Sequence, residues 1–153
     1  MKDLSKKGFF FSIEKYDPKN DLFVLVVNIN GTSFSNYETP IDLSILINDL
    51  NLLLFTNQRE IDYLRVDTVD ENIKLIKKLI NLEYLELENN IHEFQNSTVR
   101  NCHEVFFFLK IPNHPLYATP SLIKAGEGYV EIVPIETVKF ALDELIKYQN
   151  SIL

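Results

Sequence analysis

Apolar residues fall along this chain in blocks, and their spacing changes from one block to the next. Gly8 to Tyr16 and Leu22 to Asn30 are rich in aromatic and β-branched residues, with the tight-turn composition Asp17-Pro18-Lys19-Asn20-Asp21 between them. That pattern predicts an antiparallel hairpin. Leu22-Phe23-Val24-Leu25-Val26-Val27 is apolar without alternation, which predicts a central strand buried on both faces. A polar loop is expected over Gly31 to Glu38. Thr39-Pro40-Ile41-Asp42 then has the makeup of a helix start, with Thr39 as N-cap, Pro40 at the first helical position and Asp42 at the positive end. Ile41, Ile45, Leu46, Asp49 and Leu50 fall on successive turns. Leu52 to Phe55 suits either the end of that helix or a short strand.

The middle of the chain contains an internal echo. Ile61-Asp62-Tyr63-Leu64-Arg65-Val66-Asp67 and Leu82-Glu83-Tyr84-Leu85-Glu86-Leu87-Glu88 repeat aliphatic, acid, tyrosine, leucine, charge, aliphatic and acid in order. Between them, Ile73, Ile76, Lys77 and Ile80 lie at helical spacing within Val69 to Asn81, with Thr68 as a cap. Strand, helix and strand over so short a span predict a βαβ crossover with parallel strands. The second copy, continued through Asn89 and Asn90, also resembles a leucine-rich repeat (L-x-x-L-x-L-x-x-N), but the first copy has Asp70 where the asparagine belongs. A solenoid needs about three repeats or more to bury a continuous core, and no third copy is present. A single βαβ unit is the preferred reading, and a repeat-like scaffold the alternative.

Asn89 to Asn101 is polar and is expected to be a loop. His103 to Ile111 predicts a strongly apolar strand. Pro112, Pro115 and Pro120 keep the next stretch irregular, Gly126 and Gly128 mark a turn, and Tyr129 to Val133 is the last strand. Pro134 opens a helix from Ile135 to about Ser151 with the apolar stripe Val138, Ala141, Leu142, Leu145 and Ile146. The sum is one globular domain over residues 1–153, of α/β (α+β) class. It has a mixed sheet of about six strands, an N-terminal antiparallel hairpin, a central βαβ unit and about three helices. Two phenylalanine triplets, Phe9-Phe10-Phe11 and Phe106-Phe107-Phe108, must send their middle ring to the opposite face, so helices covering both faces of the sheet are expected.

Composition narrows the function. Hydrophobic residues at 46% and charged residues at 24% are those of a globular protein. A net charge of −7 disfavours nucleic acid, whose phosphates need a basic surface, and suits a basic partner. The small basic clusters are Lys2, Lys6, Lys7 and Lys74, Lys77, Lys78. Cys102 is the single cysteine, which fits a reducing compartment. No apolar run matches a signal peptide or a membrane span, so cytoplasmic localisation is expected and the N-X-S/T triplets at Asn30 and Asn96 lack a secretory context. Abundant Lys, Asn and Ile suggest an AT-rich, bacterial genome.

No metal, cofactor or catalytic motif is visible. His92, His103 and His114 have no zinc spacing, and four glycines leave no material for a phosphate-binding loop. Cys102 and His103 are neighbours at a strand start, where side chains alternate, so they are expected to diverge as a half-buried thiol and a surface imidazole. The carboxylates are more suggestive. If the echoed strands are parallel, Asp67 and Glu88 emerge at the carboxyl edge of the sheet, where ligands commonly bind, with Asp70, Glu71, Asn89 and Asn90 just beyond. Glu86 alternates onto the same face as Tyr84 and Glu88. Such a set could receive lysines and arginines of a partner, hold a cation or act as an acid–base pair. The candidate partner contacts are therefore Asp67, Asp70, Glu71, Tyr84, Glu86 and Glu88, with Tyr84 as anchor.

In size, acidity, lack of catalytic motifs, lack of a secretion signal and AT-rich composition, the chain resembles the small cytoplasmic immunity proteins of bacterial toxin systems, including contact-dependent growth inhibition. The resemblance lies at the level of the class and carries over no residues. It implies a non-enzymatic inhibitor that binds a cognate, often basic, nuclease toxin domain and uses no cofactor. A small enzyme built on the same acids, or on His103 or His114, is the alternative of different class.

Overall fold

The structure is a computed structural model. It describes all residues except 7, 21, 36–39, 87–90, 112–118 and 153, and of residues 18, 35 and 91–93 it describes no side chain. The chain is α+β, as the sequence predicts, but its strands form two five-stranded sheets rather than one of about six.

The first sheet grows from the N-terminal hairpin. β2 (Phe9–Asp17) and β3 (Leu22–Ile29) pair antiparallel across a 3₁₀ turn at Pro18–Asn20. β1 (Lys2–Asp3) extends the β2 side, while β4 (Thr32–Ser35) and β5 (Ile41–Asp42) both pair with β3. β3 is therefore central. The inward positions Phe9, Phe11, Ile13, Phe23, Leu25, Val27, Ile29 and Phe34 are buried. The opposite face is only partly apolar, with Phe10, Val26 and Asn28 half-buried. Asp3, Ser12, Asn28 and Ser33 bridge it with side-chain hydrogen bonds from β1 to β4. The segment expected as a loop over Gly31 to Glu38 thus contains a strand, because Thr32 and Phe34 alternate inward.

Helix α1 (Leu43–Phe55) starts later than Thr39-Pro40 suggests. Asp42 is the cap, its carboxylate accepting from Ser44 N at 2.8 Å, while Ile41 and Asp42 are held in β5. Thr39 lies outside the described residues. Leu52 to Phe55 is the last turn of the helix. Its C-terminal carbonyls are met by a buried guanidinium: Arg100 donates from Nε to Leu53 O at 2.6 Å and from Nη2 to Thr56 O at 2.8 Å. Its Nη1 also reaches Asn101 O and Glu60 Oε1, each at 3.2 Å.

The second sheet carries β7 (Thr98–Arg100), β8 (Glu104–Lys110), β9 (Ile123–Ala125) and β10 (Gly128–Pro134), with the two-residue β6 (Leu85–Glu86). β8 and β10 pair antiparallel at its centre, β9 forms a hairpin with β10, and β6 runs parallel to β8. All three rings of Phe106-Phe107-Phe108 are buried. Phe107 faces the first sheet and stacks on Phe9 at 4.9 Å between centroids. Phe106 and Phe108 face the opposite way, towards α2 (Val69–Leu79). One core joins the inner face of the first sheet, α1, α3 (Ile135–Ile152) and one face of the second sheet. A smaller one joins the other face to Ile61, Leu64 and the Val69, Ile73, Ile76 stripe of α2.

The expected βαβ crossover does not form. Ile61 to Asp67 is turn and 3₁₀ backbone, not a strand. Its neighbour Glu60 makes one parallel bridge to Arg100 of β7. β7 is antiparallel to β8 and β6 is parallel to it, so the chain runs in opposite directions on the two sides of α2. The two echoing heptapeptides therefore take different backbones. The first copy closes its backbone hydrogen bonds locally, Leu64 N donating to Ile61 O at 3.2 Å and Thr68 N to Arg65 O at 3.3 Å, where a strand would pair with a neighbour. Arg59 fixes this segment from beneath, donating to Thr98 O at 2.9 Å, Asn96 O at 3.1 Å and Asn81 O at 3.4 Å.

Candidate functional site

The acids singled out by sequence gather around α2, though not as the edge of a parallel sheet. Asp67 sits exposed in the 3₁₀ turn Val66–Thr68 that leads into the helix, and Asp70 and Glu71 lie in its first turn. Negative charge there complements the positive end of the helix dipole, as Lys77 and Lys78 do at the other end. Thr68 occupies the cap position without capping the backbone; its hydroxyl accepts from Asn72 Nδ2 instead, at 3.0 Å.

Asp70 and Tyr84 are brought together by the β9–β10 turn. The Asp70 carboxylate accepts from Gly126 N at 2.6 Å, and the Tyr84 hydroxyl donates to Ala125 O at 2.8 Å. Only glycine fits beneath that ring. Gly126 has φ +60, and a Cβ there would stand 2.7 Å from the Tyr84 hydroxyl; one on Gly128 would stand 2.6 Å from Leu109 O and from the ring itself. Lys77 Nζ lies 5.2 Å from the centroid of the Tyr84 ring, within cation–π range. Burial raises the pKa of the Tyr84 hydroxyl above the ordinary phenol value. The carboxylates of Glu127 and Asp70 push the same way, and backbone hydrogen bonds at Glu127 and Gly128 oppose them. Tyr84 is thus an internal fastener, while Asp70, itself exposed, uses one carboxylate oxygen to hold the turn.

Open to solvent together with Asp70 are Asp67, Glu71 and the turn residue Glu127, with Tyr63 (45% exposed) and Val66 (41%) in the segment that enters the helix. Tyr63, Val66 and Glu127 escaped the sequence reading. The apolar–polar pattern places the first two in a strand, and the Gly126-Glu127-Gly128 composition explains the third as a turn. Glu86 is exposed on β6, opposite Lys110. Glu88 and His114 lie outside the described residues, and of His92 only the backbone is described.

Cys102 and His103 are both exposed, at a bend before β8 rather than in the strand, so the thiol is not half-buried. The bend is built by Asn101, whose Oδ1 accepts from the backbone of His103 at 2.8 Å and of Glu104 at 2.7 Å.

One carboxylate was not foreseen at all. Glu131, in the middle of β10, is 0% exposed. Its oxygens accept from Asn30 Nδ2 at 3.0 Å, from the Thr119 hydroxyl and from Ser121 Oγ at 2.8 Å. Asn30, at φ 49 in the β3–β4 turn, also donates to Ile132 O at 3.2 Å. Glu131 therefore ties the first sheet, the second sheet and the segment before β9 together. Both oxygens are occupied by neutral donors, which suits a structural tie better than an acid presented to a substrate.

Among the described residues no group of His, Cys, Asp or Glu is arranged to hold a metal ion, and no helix is long and apolar enough to cross a membrane. No family model, curated protein or solved structure matches the chain.

Proposed function

We propose that this chain is a protein-binding inhibitor, an immunity protein that neutralises a basic toxin domain in the cytoplasm through the acidic end of α2. The observation that carries the reading is the combination at that end. Asp67, Glu71 and Glu127 are solvent-exposed, and Tyr63 and Val66 are large apolar side chains left in water beside the helix start. Aromatic anchors rimmed by charge are what protein interfaces use, and acids facing a basic partner raise its association rate and select it. The Asp70–Gly126 hydrogen bond holds the helix start against the β9–β10 turn, and Tyr84–Ala125 ties the segment before β6 to the same turn, which lowers the ordering cost of presenting this backbone.

The test is capture of the tagged chain from its native host, with mass spectrometry of what remains bound at moderate salt. The reading expects one stoichiometric basic protein, lost on Asp67→Lys with Glu71→Lys and retained on Glu136→Lys, a change remote from this end of α2. Absence of any partner under toxin-expressing conditions overturns it, as does a partner indifferent to the first pair of changes.

A further inference from the structure

The solvent side of α2 carries a pattern that the helix dipole does not explain. Leu75 is 50% exposed and Leu79 65%. They stand one turn apart, with exposed Glu71 one turn before Leu75 and exposed Lys78 just under one turn after it. Among the described residues neither Glu71 nor Lys78 is in an ion pair. The dipole accounts for acids first and lysines last along the helix, but it gives no reason to leave two leucines in water.

We propose that this face pairs with the same face of a second copy of the chain, the two α2 helices lying antiparallel about a two-fold axis near Leu75. The positions of Glu71 and Lys78 make the face complementary to itself, while exposed Lys74 stands about 100° round the helix from Leu75, outside the contact. Glu71 and Lys78 are seven residues apart, so they lie about 20° from each other around the helix, on the same flank of the leucines. A two-fold axis perpendicular to both helices keeps each residue on its flank and reverses its height. Glu71 of one copy therefore meets Lys78 of the other to within about 1.5 Å along the axis, twice per dimer. Leu75 packs on Leu75 at the centre, and Leu79 covers the Asn72 stem of the other copy. A parallel pairing, about an axis along the helices, would carry the two charged flanks to opposite sides of the seam and leave Glu71 and Lys78 without each other. The contact spans about three turns, small for a specific interface, so the dimer is weak, with a Kd of roughly 10⁻⁴ M. It goes beyond the inhibitor reading and competes with it for Glu71.

Sedimentation of the purified chain from about 10 µM to 1 mM tests the pairing without any partner. The wild type is expected to shift from monomer to dimer over that range, and Leu75→Asp to stay monomeric with an unchanged circular dichroism spectrum. Glu71→Lys and Lys78→Glu are each expected to weaken dimerisation by at least about tenfold, since each places like charges in contact. Mixed in equal amounts, these two variants restore opposite charges across the interface and form a heterodimer. A wild type that is monomeric at 1 mM overturns the proposal. So does a dimer insensitive to Leu75→Asp, or a mixture of the charge variants that does not associate. Failure of the capture experiment has no bearing on these outcomes.

Discussion

Arg100→Met removes a guanidinium while keeping an unbranched side chain of similar reach. The wild-type group is buried and contacts four oxygens: Leu53 O at 2.6 Å, Thr56 O at 2.8 Å, Asn101 O and Glu60 Oε1 at 3.2 Å. Leu53 and Asn101 are themselves buried, so their carbonyls have little access to water once the donor is gone. Orphaning a buried acceptor costs about 1–3 kcal/mol, and removing one partner of a buried ion pair about 3–5 kcal/mol. Glu60 is partly exposed, with 22% of its side chain accessible, so water replaces part of what that carboxylate loses. The carbonyl losses and this discounted ion-pair loss together come to about 3–5 kcal/mol. A domain of this kind is stable by about 5–15 kcal/mol in total, so the variant is expected to be folded but badly weakened. Urea unfolding followed by far-ultraviolet circular dichroism measures it. Arg100→Lys is the control: it keeps the charge but cannot span four acceptors with one ammonium, and is expected to fall between wild type and Arg100→Met. A loss below about 1 kcal/mol for Arg100→Met, at unchanged slope in urea, would refute the reasoning, because that is the range of an ordinary exposed arginine.

Three further changes probe separate parts of the fold. Thr32 is buried with no partner for its hydroxyl among the described residues, so Thr32→Val is expected to stabilise by about 1 kcal/mol in the same urea assay. Gly128→Ala forces a Cβ to 2.6 Å from the Leu109 carbonyl and the Tyr84 ring, and the backbone partner cannot swing away; thermal unfolding is expected to show a loss of about 2–3 kcal/mol. Burial raises the pKa of Asp49 on α1, so its charged form is the one the fold disfavours. Stability tied to that group is full below the ordinary carboxylate range and is lost as pH rises through the raised value. Asp49→Asn is therefore expected to be the more stable protein at neutral pH, with the advantage vanishing in acid; an advantage that persists below pH 3 would contradict the assignment.

Strands that bury apolar side chains were legible, and strands that bury polar ones were not. β2, β3, β8, β10 and α3 follow directly from their apolar runs and stripes. β7 reads as loop in the sequence because its buried residues include the polar Thr98 and Arg100. What satisfies them is carbonyl oxygen: Phe94 O and Gln95 O for the Thr98 hydroxyl, and Leu53 O, Thr56 O and Asn101 O for Arg100. Backbone acceptors look the same in every sequence, so nothing marks in advance which carbonyl will need a guanidinium. Glu131 is the same case inside an apolar strand, its donors Asn30, Thr119 and Ser121 coming from remote turns. The error over Ile61 to Asp67 was of another kind. Its apolar spacing is that of Leu82 to Glu88, so the two copies look alike in sequence; what differs is the local closure of Leu64 N on Ile61 O and Thr68 N on Arg65 O, which the residue pattern does not mark.

The candidate site illustrates how a correct neighbourhood can be assigned wrong roles. Sequence put Asp67, Asp70, Glu71 and Tyr84 together, and the first three do cluster at one helix start with Tyr84 beside them. Yet the tyrosine proposed as an anchor has its hydroxyl on Ala125 O and its ring against Gly126 and Gly128, and one oxygen of exposed Asp70 beside it accepts from a backbone amide. A side chain already holding the fold has little left to gain from a partner, and moving it would cost the bonds it makes. Those two residues matter to binding as supports. Tyr84→Phe is therefore expected to loosen the β9–β10 turn and shift Glu127, weakening a partner that touches Glu127, while leaving intact the α2–α2 contact on the helix's other side. That asymmetry separates a supporting role from a contacting one.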